Sequence, residues 1–535
     1  MLRSARTPVL ILIASALVAA CGGGGGSGPP LAPISPAEAS RFLTQATFGP
    51  VPEEVADLQQ RGYAGWLDHQ FALPASRQLP YLQTLSQPVT QEDRLDAFFQ
   101  NALRKPDQLR QRVAFALSEI FVVSDQGALF DQPLGLADYY DLLAGNAFGN
   151  FRELMERVTL SPVMGVYLSM LANEKADPDR NIRPDENYAR ELLQLFTIGL
   201  VELRTDGSVR QDNGGVPLPT FDQAVIEGFA RVNTGWTFGG SPSFFEPSFD
   251  YLRPMEPFAN FHDTQTKRLL GGVTLPAGGS ARQDLEAGLD LIFAHPNVGP
   301  FIGRQLIQRL VTSNPSPAYV ARVAGTFNNN GSGVRGDLAA VVRAILLDPE
   351  ARATPTGDTV GKLKEPLLRL TALFRAYDAT APNGRYLIDF AAPLLGQAPL
   401  QSPSVFNFFR PGYAPPGEIA SRELVSPEMQ ITTEFTAATF ANVLGNYAVS
   451  QNNYNADELG PEVVRIDLST DEPFADPPAR LVTRIADRLT GGVVSPVLRA
   501  EAEAVAAQYP VEQGPFRIIE VLNLFLTSPE YAVQR

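Results

Sequence analysis

Cysteine and histidine are scarce in this chain of 535 residues: Cys21 is the one cysteine, and His69, His262 and His295 are the three histidines. One thiol excludes an intramolecular disulfide framework and any zinc or iron–sulfur site built on several cysteines. With so few imidazoles, catalysis or metal binding must lean on carboxylates or be absent. Basic residues are outnumbered, 43 Lys and Arg against 58 Asp and Glu, for a net charge of −15. No nucleic-acid partner is expected from that balance, because non-specific binding needs basic stripes that displace phosphate counterions. Beyond the first twenty residues no stretch approaches membrane-spanning length without charges. Gly-x-Ser-x-Gly elbows and His-Glu-x-x-His helices are also missing. What is present is the composition of an ordered chain, 44% hydrophobic and 19% charged. The length suits one large domain or two to three modest ones, each with a real core.

The amino terminus sets the expected compartment. Arg3 and Arg6 precede a short apolar stretch from Val9 to Ala20, the pattern of an export signal over residues 1–20. It ends Leu17-Val18-Ala19-Ala20-Cys21, which resembles the bacterial lipoprotein box; the resemblance implies that Cys21 is lipidated and becomes the first mature residue. Residues 21–34 then form a tether: Gly22 to Gly26, Ser27 and Gly28 are flexible, and Pro29, Pro30 and Pro33 stiffen the exit. A seven-residue Gly/Ser coil reaches about 15 Å. Gly22 stands where an aspartate would resemble an inner-membrane retention signal. The expectation is therefore a body anchored to the outer membrane through Cys21, periplasmic or surface-facing. Loss of Arg3 and Arg6 takes the charge from −15 to −17.

Prolines and small polar residues punctuate the rest. Ser35-Pro36 opens an apolar-periodic run to Phe48; Pro52 opens a second, closed by Gly62. The segment from Pro106 to Ser124 carries Val113, Phe115, Ala116, Leu117, Ile120 and Phe121 with little polar surface, the mark of a buried helix. Helical patterns recur from about residue 136 to 527. Strand signals are few, with Leu269 to Leu275 the best candidate for a short hairpin. The fold class expected is mainly α, a large multi-helix body with a minor β-hairpin element. The Thr/Pro/Gly stretch at 353–358 suggests a division into regions 35–355 and 356–535, or one continuous domain. Gln451 to Asp476 suggests a long acidic surface loop.

Several stretches could carry chemistry. Asn187, Arg190, Glu191 and Gln194 fall within about 100° of one helix face, lining either a cleft or a solvated face with a Glu186–Arg190 pair. Asp177, Asp179 and Asn181 form an Asp-x-Asp-x-Asn array that could hold calcium, although Ile182 and Tyr188 occupy the EF-hand glycine and terminal-glutamate positions. His262-Asp263 could be an acid–base pair or a hydrogen-bonded turn. Glu119 shares a helical stripe with Arg112, which suggests a buried ion pair. Gly331-Ser332-Gly333-Val334-Arg335-Gly336 matches a dinucleotide fingerprint in letters only, since no strand precedes it; a loop with Asp337 capping the next helix is expected. Two aromatic-rich loops, Phe244 to Phe261 and Phe406 to Tyr413, suit either ligand stacking or small satellite cores.

The stretch Pro184-Asp185-Glu186-Asn187-Tyr188-Ala189-Arg190-Glu191-Leu192 resembles the signature of a large bacterial family of exported proteins, catalogued as domain of unknown function number eighteen hundred. Thr234-Gly235-Trp236, Phe261-His262-Asp263 before Leu269-Leu270-Gly271, Ser402 to Phe408, Pro415 to Glu418 and Val425 to Gln430 resemble its further landmarks, in order. The chain departs from the pattern at Asp185, where many members have asparagine, and at Leu117 to Phe121, where many have a Trp-His-Asn-His run. Arg410, Glu418 and Glu428, in or beside these stretches, are binding candidates. The family has no established activity. The resemblance implies partnership with a second exported protein of alkaline-phosphatase-like type. Two functions stay open: a helical scaffold or binding lipoprotein, and an exported hydrolase using carboxylates and His262 in a cleft beside the 186–191 helix. The catalytic candidates are Glu191, Arg190, Asn187, His262 and Asp263.

Overall fold

Proline and a capping side chain open many of the helices. Ser35 accepts the backbone N–H of Glu38 while the Glu38 carboxylate accepts that of Ser35, and the helix Pro36–Ala46 follows. Ser280 with Gln283 does the same for Ala281–Ala294. Ser316, Asp337 and Ser495 cap Pro317–Asn328, Leu338–Leu347 and Pro496–Ala507. The structure, a computed structural model, describes residues 33–535 except Gln87, Asp358 and 454–459, with the side chains of 449–453 also outside the description. The expected signal segment, Cys21 and nearly all of the tether lie outside the described residues. So does part of the acidic loop expected over 451–476, although the helix Glu434–Asn453 enters its start and Ser469–Phe474 forms a 3₁₀ turn.

The fold is mainly α, with three two-stranded antiparallel sheets among the described residues. These pair Trp236–Thr237 with Glu256–Pro257, Lys267–Arg268 with Thr274–Leu275, and Lys362–Leu363 with Val533–Gln534. The expected hairpin therefore starts two residues before Leu269, with a 3₁₀ turn at Leu270–Gly272 between its strands. Gly62 has φ +70°, which breaks helical geometry inside Pro52–Ala72; a new helical run begins beyond it.

At the centre lies Gln108–Ser118, in which every residue is buried. It packs against Pro36–Ala46, Pro52–Ala72, Gln91–Arg104, Pro133–Asn146 and Val298–Leu310. Its polar side chains are spent on backbone carbonyls: Gln108 donates to Lys105 O, Arg110 to Ala144 O and Leu73 O, and Gln111 to Ser76 O. Gln91–Arg104 escapes apolar-periodicity reading because Arg94, Asp96 and Asn101 interrupt its pattern, yet all three are buried. Arg94 is paired with Asp125 at 3.0 Å and donates to Pro399 O, and Asp96 accepts from Tyr81 Oη, Arg385 and the N–H of Tyr386.

Ser35–Arg535 clusters as one compact unit. Arg375 donates to Gly49 O and pairs with Glu54, tying the segment after residue 355 to the first two helices. The chain end folds back so that Gln534 pairs with Lys362 and donates to Leu310 O and Val311 O. Gly361 permits this closure: with φ +105°, a Cβ there would lie 2.2 Å from Gln534 O.

Candidate functional site

The helix Asn187–Gln194 carries the most distinctive sequence motif, and its face is not a row of free polar groups. Tyr188, Ala189, Leu192 and Leu193 are buried; Tyr188 Oη shares a 2.6 Å hydrogen bond with Thr159 Oγ1. Arg190 pairs with Glu186 at 2.9 Å and reaches Gln223. Asn187 is exposed, and its N–H donates to Asp185 Oδ1. Glu191 turns inward: it is 7% exposed, and its Oε2 has no hydrogen-bond partner among the described residues. Burial pushes its carboxyl above the ordinary value, only partly countered by Arg190.

Asn173, which the sequence did not single out, joins two of the motif stretches. Its side chain accepts the N–H of Asp185 and lies within reach of Asp185 O and Ala230 O, while its carbonyl accepts the N–H of Gly235. The helix entry at Asp185, the Thr234-Gly235-Trp236 stretch and, through Lys175 N–H to Phe261 O, the His262 turn are thus drawn into one region. A glycine is needed in that turn, because a Cβ on Gly235, at φ +86°, would lie 2.8 Å from His262 N.

The His262 side chain is 1% exposed. Its Nδ1 lies 3.0 Å from Thr234 O and its Nε2 3.1 Å from Asp284 Oδ2. Asp284 also receives the buried ammonium of Lys267 at 2.6 Å. Asp263 takes a two-pronged contact from Arg231, at 2.7 and 3.0 Å. Burial alone would raise Asp263, but the hydrogen bonds from Arg231 and Gln265 N–H outweigh it and hold the carboxyl below its ordinary value. Both members of the expected acid–base pair are thus engaged with separate partners.

In the calcium candidate, the Asp177 carboxylate accepts from Arg180 Nε at 2.6 Å and from the N–H groups of Asp179 and Arg180. A bridge between Asp177 and Ile182 closes the loop. Among the described residues no group of three His, Cys, Asp or Glu side chains is placed to hold a metal ion.

The binding candidates part company. Arg410 is exposed, its guanidinium over the Phe406 ring and its N–H donating to Gln430. Glu418 is exposed and pairs with Arg422 at 3.4 Å. Glu428 goes inside. It joins a buried cluster of Glu119, Glu365, Lys362, Arg112 and Arg309, in which Glu119, Glu365 and Glu428 are 3%, 0% and 1% exposed. Lys362 Nζ lies 2.9 Å from Glu428 and 3.3 Å from Glu365, and donates to Arg309 O. Arg309 donates to Glu119 O and stands 3.6 Å from the Glu119 carboxylate. Gln397 donates to Glu365 at 2.7 Å and Glu119 at 3.3 Å. The expected Arg112–Glu119 pair is corrected on this point: Arg112 Nη2 donates to Arg309 O, and the direct charge contact of Glu119 is with Arg309. Glu119 caps the helix that ends at Ser118, and the helix Val298–Leu310 brings Arg309 against it.

Burial, reinforced by repulsion from Glu365, lifts Glu119 well above the ordinary carboxyl value. Glu365 shifts down: burial would raise it, but Lys362 and Arg112 outweigh that. Lys362, Glu365, Arg309 and Gln397 were not found by sequence reading; the Lys-x-x-Glu spacing of Lys362 and Glu365 before Pro366 was the only local trace.

The loop at Phe244 to Phe261 divides. Phe244 stacks on Phe261 at 4.1 Å, making a small aromatic core, whereas Phe245 and Phe249 are 60% and 68% exposed. The glycine-rich stretch at 331–336 behaves as a loop: Asn329 and Asn330 side chains accept its N–H groups, and Asp337 caps the next helix through Ala340 N–H.

The chain belongs to the family described as protein of unknown function (DUF1800), whose model matches residues 41–533. No curated protein and no solved structure matches the chain. Among the described residues no helix is long and apolar enough to cross a membrane.

Proposed function

We propose that this protein is an exported lipoprotein, anchored in the outer membrane through lipidated Cys21, whose helical body is a binding scaffold for another exported protein. The observation that supports a binding role best is how the ionisable groups of the motif region are spent. His262 is tied to Thr234 and Asp284, Asp263 to Arg231, Arg190 to Glu186, and Glu428 to Lys362. Each makes a contact that positions one segment against another, and a hydrolase would need such groups turned toward a substrate. Exposed Phe245 and Phe249 offer apolar surface beside that rigid framework, as a protein-binding face does. An alkaline-phosphatase-like exported protein is the proposed partner class, on the family resemblance.

Co-purification from native membranes, comparing the full chain with Cys21→Ser, tests address and partner together. The wild type should sediment with membranes and bring the exported partner with it, and the variant should be soluble. Sedimentation of the variant with membranes would remove the lipid anchor from this reading. A membrane-extracted protein that brings no exported partner would remove the scaffold.

A further inference from the structure

Beside the 362–365 segment, a cavity of about 140 Å³ lies between the helices Pro366–Ala376 and Glu434–Asn453. Leu363, Pro366, Leu395, Ile431 and Phe440 make its apolar walls, and Arg369 is its charged member. The turn that ends at Gly396 closes one side. Gly396 has φ +73°, and a Cβ there would lie 3.0 Å from the side chain of Ile431 and 3.2 Å from that of Thr436. Exposed Thr432 and Ala437 mark the mouth.

Arg369 is half-buried and, like fully buried Arg112, which donates to Arg309 O, it has no carboxylate partner among the described residues. Lys362, Lys267 and Arg94 each meet a carboxylate within 3.0 Å. The guanidinium of Arg369 meets none among the described residues; its carbon sits 3.9 Å over the Phe440 ring, and its Nε is buried without a hydrogen-bond partner. Burial pushes it down to about 10. Close by, Lys364 is buried over the Tyr531 ring at 4.1 Å, pushed down to about 7 by burial and by repulsion from Arg369. A half-buried guanidinium with no carboxylate beside it among the described residues creates a local positive potential at the edge of an apolar cavity. An isolated buried charge is expensive, and a bound anion would relieve the cost.

We propose that this cavity binds a small monocarboxylate carrying an apolar tail, its carboxylate on Arg369 and its tail among Leu395, Ile431 and Phe440. The planar guanidinium presents paired donors that match a carboxylate. The tail size follows from volume, since a cavity of roughly 150 Å³ lined by apolar side chains accommodates benzene. A bare inorganic anion would leave those walls unfilled, and a neutral ligand of the same shape would leave the guanidinium unpaired.

The test is calorimetric titration of the full-length protein in detergent with benzoate, hexanoate, benzamide and inorganic phosphate, each to about 10 mM, a range that reaches millimolar affinities. Benzoate or hexanoate should bind, and benzamide and phosphate should bind at least about tenfold more weakly. Arg369→Gln should fold, because it removes a half-buried cation with no carboxylate partner, and should lose at least about tenfold in benzoate affinity. Ala437→Phe, at the exposed mouth, should weaken benzoate by a similar factor through steric filling alone. The proposal is overturned if neither acid binds, if benzamide or phosphate matches benzoate, or if both variants bind benzoate as the wild type does.

Discussion

Lys362 and Glu428 meet at 2.9 Å inside the protein, the lysine on the strand that pairs with the chain end and the glutamate in a 3₁₀ turn far along the sequence. Both side chains are almost fully withdrawn from solvent. The contact fastens the 427–430 turn to the segment that also holds Glu365 and Arg309 O. Removing one partner of such a pair leaves an uncompensated buried charge. Lys362→Met should therefore lose about 3–5 kcal/mol in urea denaturation. The double variant Lys362→Met, Glu428→Gln should lose less than the sum of the two single changes. Additive losses would mean the two groups do not act together.

Asp284 carries a comparable burden in the motif region, accepting from Lys267 at 2.6 Å and facing His262 at 3.1 Å. Asp284→Asn keeps the shape and removes the charge opposite a fully buried ammonium. A loss of about 3–5 kcal/mol is expected by the same reasoning. A loss below about 1 kcal/mol, the level of an exposed pair, would show that the ammonium finds another partner.

Asp141 gives stability a pH dependence. It is buried, and its carboxylate accepts the N–H groups of Gln78 and Leu79 at 2.7 and 2.9 Å. Burial nonetheless pushes it up to about 7. Below its unfolded value, about 3.9, both states hold the proton and the group contributes nothing. Between there and about pH 7 the unfolded chain releases the proton while the native state keeps it, so stability falls as pH rises. Asp141→Asn should flatten that fall. Urea denaturation of both proteins at about pH 4.5 and 7.5 measures it, since these values bracket most of the titration. A stability difference between them that is independent of pH would refute the assignment.

Glu191 makes a sharper case because little offsets its burial: Arg190, which partly counters it, is paired with Glu186, and Glu191 Oε2 has no hydrogen-bond partner among the described residues. Glu191→Gln should leave the fold intact and raise stability at neutral pH by up to about 1 kcal/mol, the charge penalty being gone. The gain should vanish below the ordinary glutamate range, where the native carboxyl is already neutral. Destabilisation at pH 7 would instead identify a partner for the carboxylate.

Much of this architecture is written locally. Ser35 before Pro36, Ser280 before Ala281 and Asp337 before Leu338 mark helix starts through side chains that satisfy nearby N–H groups, and those contacts span three residues. The run from Val113 to Leu117 announces a buried helix because it leaves no face for water. The family signature over 184–192 is likewise a matter of consecutive residues. Where apolar periodicity was interrupted, as by Arg94 and Asp96 in Gln91–Arg104, the helix went unseen, since partners such as Asp125 and Arg385 stand outside any local window.

The sequence by itself determined helix class, many helix starts and the family. Only the tertiary structure decided which charges meet. Glu428 was sequestered with Lys362 while Glu418, a few residues earlier, stayed in solvent. Arg112 donated to a carbonyl where a carboxylate was expected, and Arg369 was left facing an apolar cavity. The physical reason is that a helix start is fixed by short-range hydrogen bonds, whereas the partner of a buried charge depends on which distant segments topology brings within a few ångströms of it. The same energy that makes such burial costly makes each of those meetings specific.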